Sequence, residues 1–169
     1  MTFDFTFCNF MFGILLDNKA SATVAAAFQA LKAKLLDAGL FFGSIFPVIL
    51  TDNGGEFSCA FAIENDLSGN KETSLFFCDP YSPSQKPRVE KNHTLLRDIL
   101  PQGSSFDSLS QADIDLIFSH INSVMRKSLN GKSPFQMFSF TYGPQLTELL
   151  NIHSVPPDSV IQSPALLRR

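Results

Sequence analysis

Between two stretches of helical periodicity lies a short apolar run, Phe46-Pro47-Val48-Ile49-Leu50-Thr51, which stops abruptly at Asp52-Asn53-Gly54-Gly55. A continuous run of this length is the pattern of a strand covered on both faces. The Asn-Gly-Gly that follows is turn chemistry. Upstream, Val24, Phe28, Leu31 and Leu35 share one face of a helix, with Ser21 expected as its cap and Gly39 just past its end. A buried strand joined to an amphipathic helix is the unit of an α/β fold.

The remaining elements extend the same pattern. Thr2 to Phe7 and Phe10 to Leu16 read as strands joined at Cys8-Asn9, and 57–65 holds a short helix. Thr73 to Cys78 reads as a strand stopped by Asp79-Pro80. A helix runs from Ser84 to about Leu100 and ends before Pro101-Gln102-Gly103. Ser110 and Asp113 form a capping box ahead of Ile114, Ile117, Phe118, Ile121 and Met125 at helical spacing. A shorter helix over Pro134 to Phe140 has Pro in its first turn. Beyond Gly143 the chain is Pro-rich and reads as a loosely ordered tail, so residues 1–142 are expected to form the core and 143–169 the tail.

Composition excludes several classes. At 169 residues there is room for one domain with a sizeable core. Phe accounts for 18 residues against two Tyr and no Trp, and most of these rings are expected in the core because Phe carries no polar handle. A net charge of −3 does not announce a nucleic-acid binder, although DNA contact needs only a local basic stripe. Cys8, Cys59 and Cys78 have neither disulfide nor metal-ligand spacing and read as reduced thiols, mostly buried. The apolar start, Phe5 to Leu16, is too short to span a bilayer and has no basic flank of a signal peptide. A cytoplasmic protein without a membrane partner is expected.

Two carboxylates stand where chemistry is possible. Asp52 follows the buried strand directly, at the end where functional groups of open α/β sheets emerge. Asn53 and the glycines would let the backbone turn without covering it. The same four residues are also an ordinary turn. Glu90 lies on the helix from Ser84, on a polar face beside Thr94 and Arg97, and can equally be a surface partner of Lys86 at i,i+4. Lys86, Arg88, Lys91 and Arg97 surround it and could neutralise DNA phosphates, with Asn92 and His93 adding hydrogen bonds. Arg126 and Lys132 are weaker candidates of the same kind, and His120, beside a buried Ile121, is given no catalytic role.

Taken together, these pieces resemble a known family. Thr51-Asp52-Asn53-Gly54-Gly55-Glu56-Phe57, Gln85-Lys86, Glu90-Lys91-Asn92-His93, Arg97, Pro101-Gln102-Gly103 and Phe106-Asp107 look like the core of DDE transposases. His120-Ile121-Asn122-Ser123, Arg126, Leu129-Asn130, Lys132-Ser133-Pro134 and Phe138 continue the match. The resemblance is to the IS-thirty group of insertion-sequence transposases, relatives of retroviral integrases, and spans nearly the whole chain. It implies an RNase H-like fold, a mixed sheet flanked by helices. Asp52 and Glu90, 38 positions apart, suit that family's second and third catalytic carboxylates. They would act as ligands of Mg²⁺ or Mn²⁺, hard cations that prefer oxygen. The implied activity is two-metal DNA strand cleavage and strand transfer, without a covalent enzyme intermediate. The implied partners are transposon ends and target DNA, together with further copies of the chain or an intact transposase, at the nucleoid.

The family's first aspartate belongs on a strand that would precede Met1, so the core is expected to lack that strand and to be partial at its N-terminus. Asp4 then falls on the second strand and takes no catalytic role. Loss of the first strand would leave unpaired backbone edges and weaken metal binding. The alternative function is therefore a non-catalytic remnant that binds DNA or an intact transposase. Pro87 stands where Gly is usual and can sit in the first turn of the Glu90 helix.

Overall fold

The computed structural model describes residues 1–78 and 87–167, and in the helix that begins at Pro87 it describes side chains from Asn92 onward. The chain divides into two compact units, one formed by Met1–Leu15 with Lys86–Arg169, the other by Leu16–Gln85.

In the first unit, β1 (Thr2–Phe5) and β2 (Phe10–Gly13) form an antiparallel ribbon with Phe3 opposite Phe12 and Phe5 opposite Phe10. Its turn falls at Cys8-Asn9, where both N–H groups donate to the Phe5 carbonyl and Asn9 takes a left-handed φ of 57°. Asn tolerates that region because its side chain can bond locally. Helices α4 (Pro87–Ile99), α5 (Gln111–Ser123), α6 (Pro134–Tyr142) and α7 (Pro144–Leu149) complete the unit. The Phe10 ring stacks on Phe138 of α6 at 3.8 Å, and Phe5 meets the same ring edge-on at 4.8 Å.

The expected capping box starts α5. Ser110 accepts from the Asp113 N–H, and the Asp113 carboxylate accepts from the Ser110 N–H at 2.8 Å. A second box, Ser133 with Gln136, starts α6. Ile114, Ile117, Phe118 and Ile121 are buried as their spacing implies, but α5 ends at Ser123 and leaves Met125 58% exposed. The helical expectation at Met125 fails because Val124 turns to an extended ψ of 124°.

Two amide side chains from α5 seal the outer edge of β2. Asn122, fully buried, accepts from the Met11 N–H at 2.9 Å and donates to the Met11 carbonyl at 2.6 Å. One helix length earlier, Gln111 donates to the Gly13 carbonyl at 2.9 Å and accepts from the Leu15 N–H at 2.8 Å. Residues 11, 13 and 15 are the alternate positions whose backbone faces away from β1, so these amides satisfy groups that a neighbouring strand would otherwise pair. Among the described residues, no strand pairs with the outer edge of β1.

Beyond Gly143 the structure differs from a loose tail. Pro144 opens α7, and Leu146, Leu150 and Ile152 are buried. Three N–H groups further along are captured by α5. His153 donates to Ser119 Oγ (3.0 Å), Val155 to Ser123 Oγ (2.9 Å) and Ile161 to His120 Nδ1 (3.0 Å). A run rich in Pro cannot build a long helix, but it is tied down by side chains that accept from its backbone.

In the second unit, α1 (Ser21–Asp37) buries Val24, Phe28, Leu31 and Leu35 on the expected face. Ser21 is its first helical residue and not its cap. Ala20 occupies the cap position, and Asn18 accepts from the Ala20 N–H and the Thr23 hydroxyl. Lys32 is also buried. Its ammonium donates to the Ala62, Ile63 and Asn65 carbonyls at the end of α3 (Ala60–Glu64), pairs with Glu72 at 2.9 Å and lies 5.0 Å from the Phe42 ring centre. It satisfies helix-terminal carbonyls that have no partner within α3 itself.

β3 (Val48–Thr51) and β4 (Ser74–Phe77) pair in parallel, Leu50 beside Phe76 and Thr51 beside Phe77. A short helix, α2 (Phe42–Ile45), precedes them. The strand expected to be covered on both faces is not, since Val48 is 61% and Leu50 46% exposed. Nor are most Phe rings in the core. Eight of the 18 are buried, while Phe41, Phe61, Phe76, Phe77 and others lie largely exposed. Two paired strands cannot cover both of their own faces, so a continuous apolar run is not sufficient for burial.

Candidate functional site

Asp52 stands exposed one residue beyond β3. The Cys78 N–H donates to the Thr51 carbonyl at 2.7 Å, and the Asn53 amide donates to the Cys78 carbonyl at 3.2 Å. These bonds fix the turn to the end of β4. Gly54 has an ordinary φ of −66°, so it is not needed for a left-handed turn. A Cβ there would lie 2.3 Å from the carboxylate of Glu56, the far end of a flexible side chain that can swing aside. The chain then enters a single 3-10 turn, Gly55–Phe57. Among the described residues the Asp52 carboxylate accepts no hydrogen bond, and it faces solvent.

Glu90, Arg88 and Lys91 lie on α4, the helix opened by Pro87 in its first turn, and their side chains are outside the described set. Lys86 lies outside the described residues. Arg97, in the last turn of α4, is exposed. Asn92 differs from the expectation of a DNA contact. It is 1% exposed, and its amide donates to Asp4 Oδ2 at 2.7 Å and to the Asn9 carbonyl at 3.2 Å. Its donors are spent inside the fold.

Asp4 and Arg126 complete this polar cluster. Arg126, expected as a weak phosphate contact, is 8% exposed. Among the described residues, its Nε and Nη2 and the Asp4 Oδ1 are buried without hydrogen-bond partners. Burial pushes the Asp4 carboxyl above its usual range, against the Asn92 hydrogen bond and the nearby charges of His93 and Arg126. Burial likewise lowers the Arg126 guanidinium, and Asp4 opposes that. Sequence reasoning missed the cluster because Asp4 and Asn92 lie 88 positions apart. The only local signal was an Asp inside an apolar strand.

The other nucleophile candidates are quiet. Burial raises the Cys8 thiol to about 12, so it stays protonated. His120 is buried, lowered by that burial, and engaged by the Ile161 N–H. Among the described residues no three His, Cys, Asp or Glu side chains gather as a metal site, and no helix is long and apolar enough to cross a membrane.

Comparison with known proteins gives these positions a context. The chain is 32% identical over 126 residues to the transposase for insertion sequence element IS1086 of Cupriavidus metallidurans, covering 75% of this chain and 35% of that one. It is 34% identical over 127 residues to a candidate integrase, ORF3 of Spiroplasma virus SpV1-R8A2 B, covering 75% and 37%. Over 60 residues it is 33% identical to the transposase InsI for insertion sequence element IS30A of Escherichia coli, covering 36% and 16%. The chain is thus a homologue of insertion-sequence transposases, IS30 elements among them, and spans about a third of the length of the first two relatives. No family model matches it, and no solved structure does.

Proposed function

We propose that this homologue of insertion-sequence transposases acts in DNA transposition as an RNase H-like catalytic core, with Asp52 and Glu90 as the carboxylates of metal-dependent strand cleavage and transfer. The observation that carries the reading is the match to a transposase across three quarters of the chain. Its relatives' names speak of transposition and integration, and an exposed carboxylate at a strand end is suited to that chemistry.

The donor chemistry fits a hard divalent cation. Asp52 is accessible and free of hydrogen bonds among the described residues, so both oxygens can bind an ion without first breaking an internal bond. Mg²⁺ or Mn²⁺ held by Asp52 and Glu90 would supply activation of a water or 3′-hydroxyl and stabilisation of the leaving oxygen. The protein's own part is positional. Asn53 fixes the turn that presents Asp52. Arg97, with Lys86, Arg88 and Lys91, places DNA phosphates near Glu90. Asn92 takes no part in that contact. The partners in this reading are transposon ends and target DNA, with further copies of the chain or an intact transposase, in the cytoplasm at the nucleoid.

The test is Mn²⁺-dependent nicking of supercoiled plasmid, with Glu90→Gln as control. Nicking that vanishes in the variant supports the reading. Absence of nicking by folded protein that still retards plasmid refutes the catalytic part and favours a non-catalytic DNA-binding role.

A further inference from the structure

The buried polar cluster of Asp4, Asn92 and Arg126 has an arrangement that surface chemistry does not explain. A carboxylate can only accept, so the NH₂ of the Asn92 amide must face Asp4. Its two protons go to Asp4 Oδ2 on β1 at 2.7 Å and to the Asn9 carbonyl in the hairpin turn at 3.2 Å. Both partners belong to the ribbon, while Asn92 belongs to α4. One side chain therefore fixes the rotation of α4 and its position along the ribbon together.

We propose that Asn92 is a positioning residue, which sets the placement of Glu90 by locking α4 to Asp4 and to the Asn9 turn. The role in chemistry rests on the reading of Glu90 given above. The lock itself rests on the hydrogen bonds. Among the described residues Asp4 Oδ1 is buried without a hydrogen-bond partner, and Asn92 ties the Asp4 carboxylate to α4. Arg126 contributes an unlike charge to Asp4 without forming an ion pair with it within 4 Å, and two of its buried nitrogens have no hydrogen-bond partner among the described residues. The cluster thus joins α4 to both the strand and the turn of the ribbon through the two bonds of one amide. Glu90 lies two residues before Asn92 in the same helix, so a shift of α4 moves both. A displacement of about 1 Å at a reacting group can cost roughly 100-fold in rate.

The experiment uses the full chain with Asn92→Ala and with Asn92→Asp, which keeps the side-chain shape but puts acceptors where both donated bonds arise. Amide hydrogen exchange is read over α4 and, for reference, over α6. In Asn92→Ala, the amides of Asn92–Ile99 are expected to exchange about 10- to 100-fold faster, the loss of one charge-assisted bond, while α6 is unchanged. Asn92→Asp should lose at least as much protection, since neither bond can form. Plasmid nicking by Asn92→Ala should slow at saturating DNA with plasmid affinity unchanged, whereas a purely structural role would lower both with the folded fraction.

Unchanged exchange in α4 would overturn the proposal. So would acceleration shared equally by α6, or wild-type protection in Asn92→Asp. If the wild-type chain nicks no plasmid, the assignment of Glu90 falls, and the exchange measurement still decides whether Asn92 positions α4.

Discussion

Replacing Asn122 with Ala should be among the most damaging single changes to the unit that carries α4. The side chain is fully buried and bonds both backbone groups of Met11, at 2.9 and 2.6 Å. Alanine leaves that N–H and that carbonyl without partners in a place water does not reach. Each orphaned group costs about 1–3 kcal/mol, so the pair costs about 4 kcal/mol. For a chain of this size, about 1 kcal/mol shifts Tm by roughly 2–4 °C, which makes the expected fall roughly 8–16 °C. Gln111→Ala is the internal control. Gln111 makes the same kind of pair with Gly13 and Leu15, but it is exposed, so water can replace it. Its loss should cost about 1 kcal/mol or less. Circular dichroism melts of the two variants test the argument, and amide exchange at Met11 localises it. Equal falls for both would refute the claim that burial of the sealed edge sets the cost.

Four further outcomes follow from the same structure. Gly13→Ala places a Cβ 2.5 Å from the Phe118 ring and 2.9 Å from Ile114, both buried, so urea unfolding should show about 1–3 kcal/mol lost to overpacking. Lys32→Met removes the ammonium shared by Glu72 and the α3 carbonyls, and should destabilise by about 3 kcal/mol, with Glu72→Gln in the same chain recovering part of it by calorimetry. Asp4 has a folded pKa raised above its ordinary 3.8, so its contribution to stability is full below 3.8 and is lost as pH rises through the folded value. Asp4→Asn should abolish that slope in melts across the acid range, while the opposite slope of Glu64, whose folded pKa is lowered by the Leu75 N–H and Lys71, persists. Arg97→Ala should reduce the salt dependence of plasmid binding by about 0.9 in the log–log slope if Arg97 meets one phosphate.

Local pattern was legible and remote pairing was not. The buried face of α1, the box at Ser110–Asp113, the hairpin turn at Cys8-Asn9 and the Pro at the start of α6 all depend on residues within a turn or two of each other. Lys32 escaped notice because a lysine on an amphipathic helix reads as solvated, and its acceptors arrive some 30 residues later. Asn122 reads as a polar residue at a helix end until Met11, 111 positions away, is placed beside it. The tail beyond Gly143 looked loose because its anchors, Ser119, His120 and Ser123, are on another element. Periodicity overran the end of α5 at Met125, since hydrophobic spacing carries no stop signal of its own. At the candidate site, the place of Asp52 after a strand was readable, but the inward direction of Asn92 and Arg126 was not.

That inward direction changes what the basic residues can do. A count along the sequence credits α4 and the following segments with a continuous set of phosphate contacts. Burial removes Asn92 and Arg126 from it, and leaves Arg97, Lys127 and Lys132 as exposed cations among the described side chains of that unit. On a chain of net charge −3, phosphate contact through such exposed cations is sensitive to salt. Phosphate contacts of this kind set register on the duplex and carry no sequence information. Affinity for plasmid therefore discriminates poorly between a catalytic core and a DNA-binding remnant, because both would present the same cations. The carboxylates differ in this respect. Asp52 and Glu90 contribute nothing favourable to phosphate binding without a cation, so any loss of Mn²⁺-dependent nicking on Glu90→Gln, with binding intact, has to be read as chemistry.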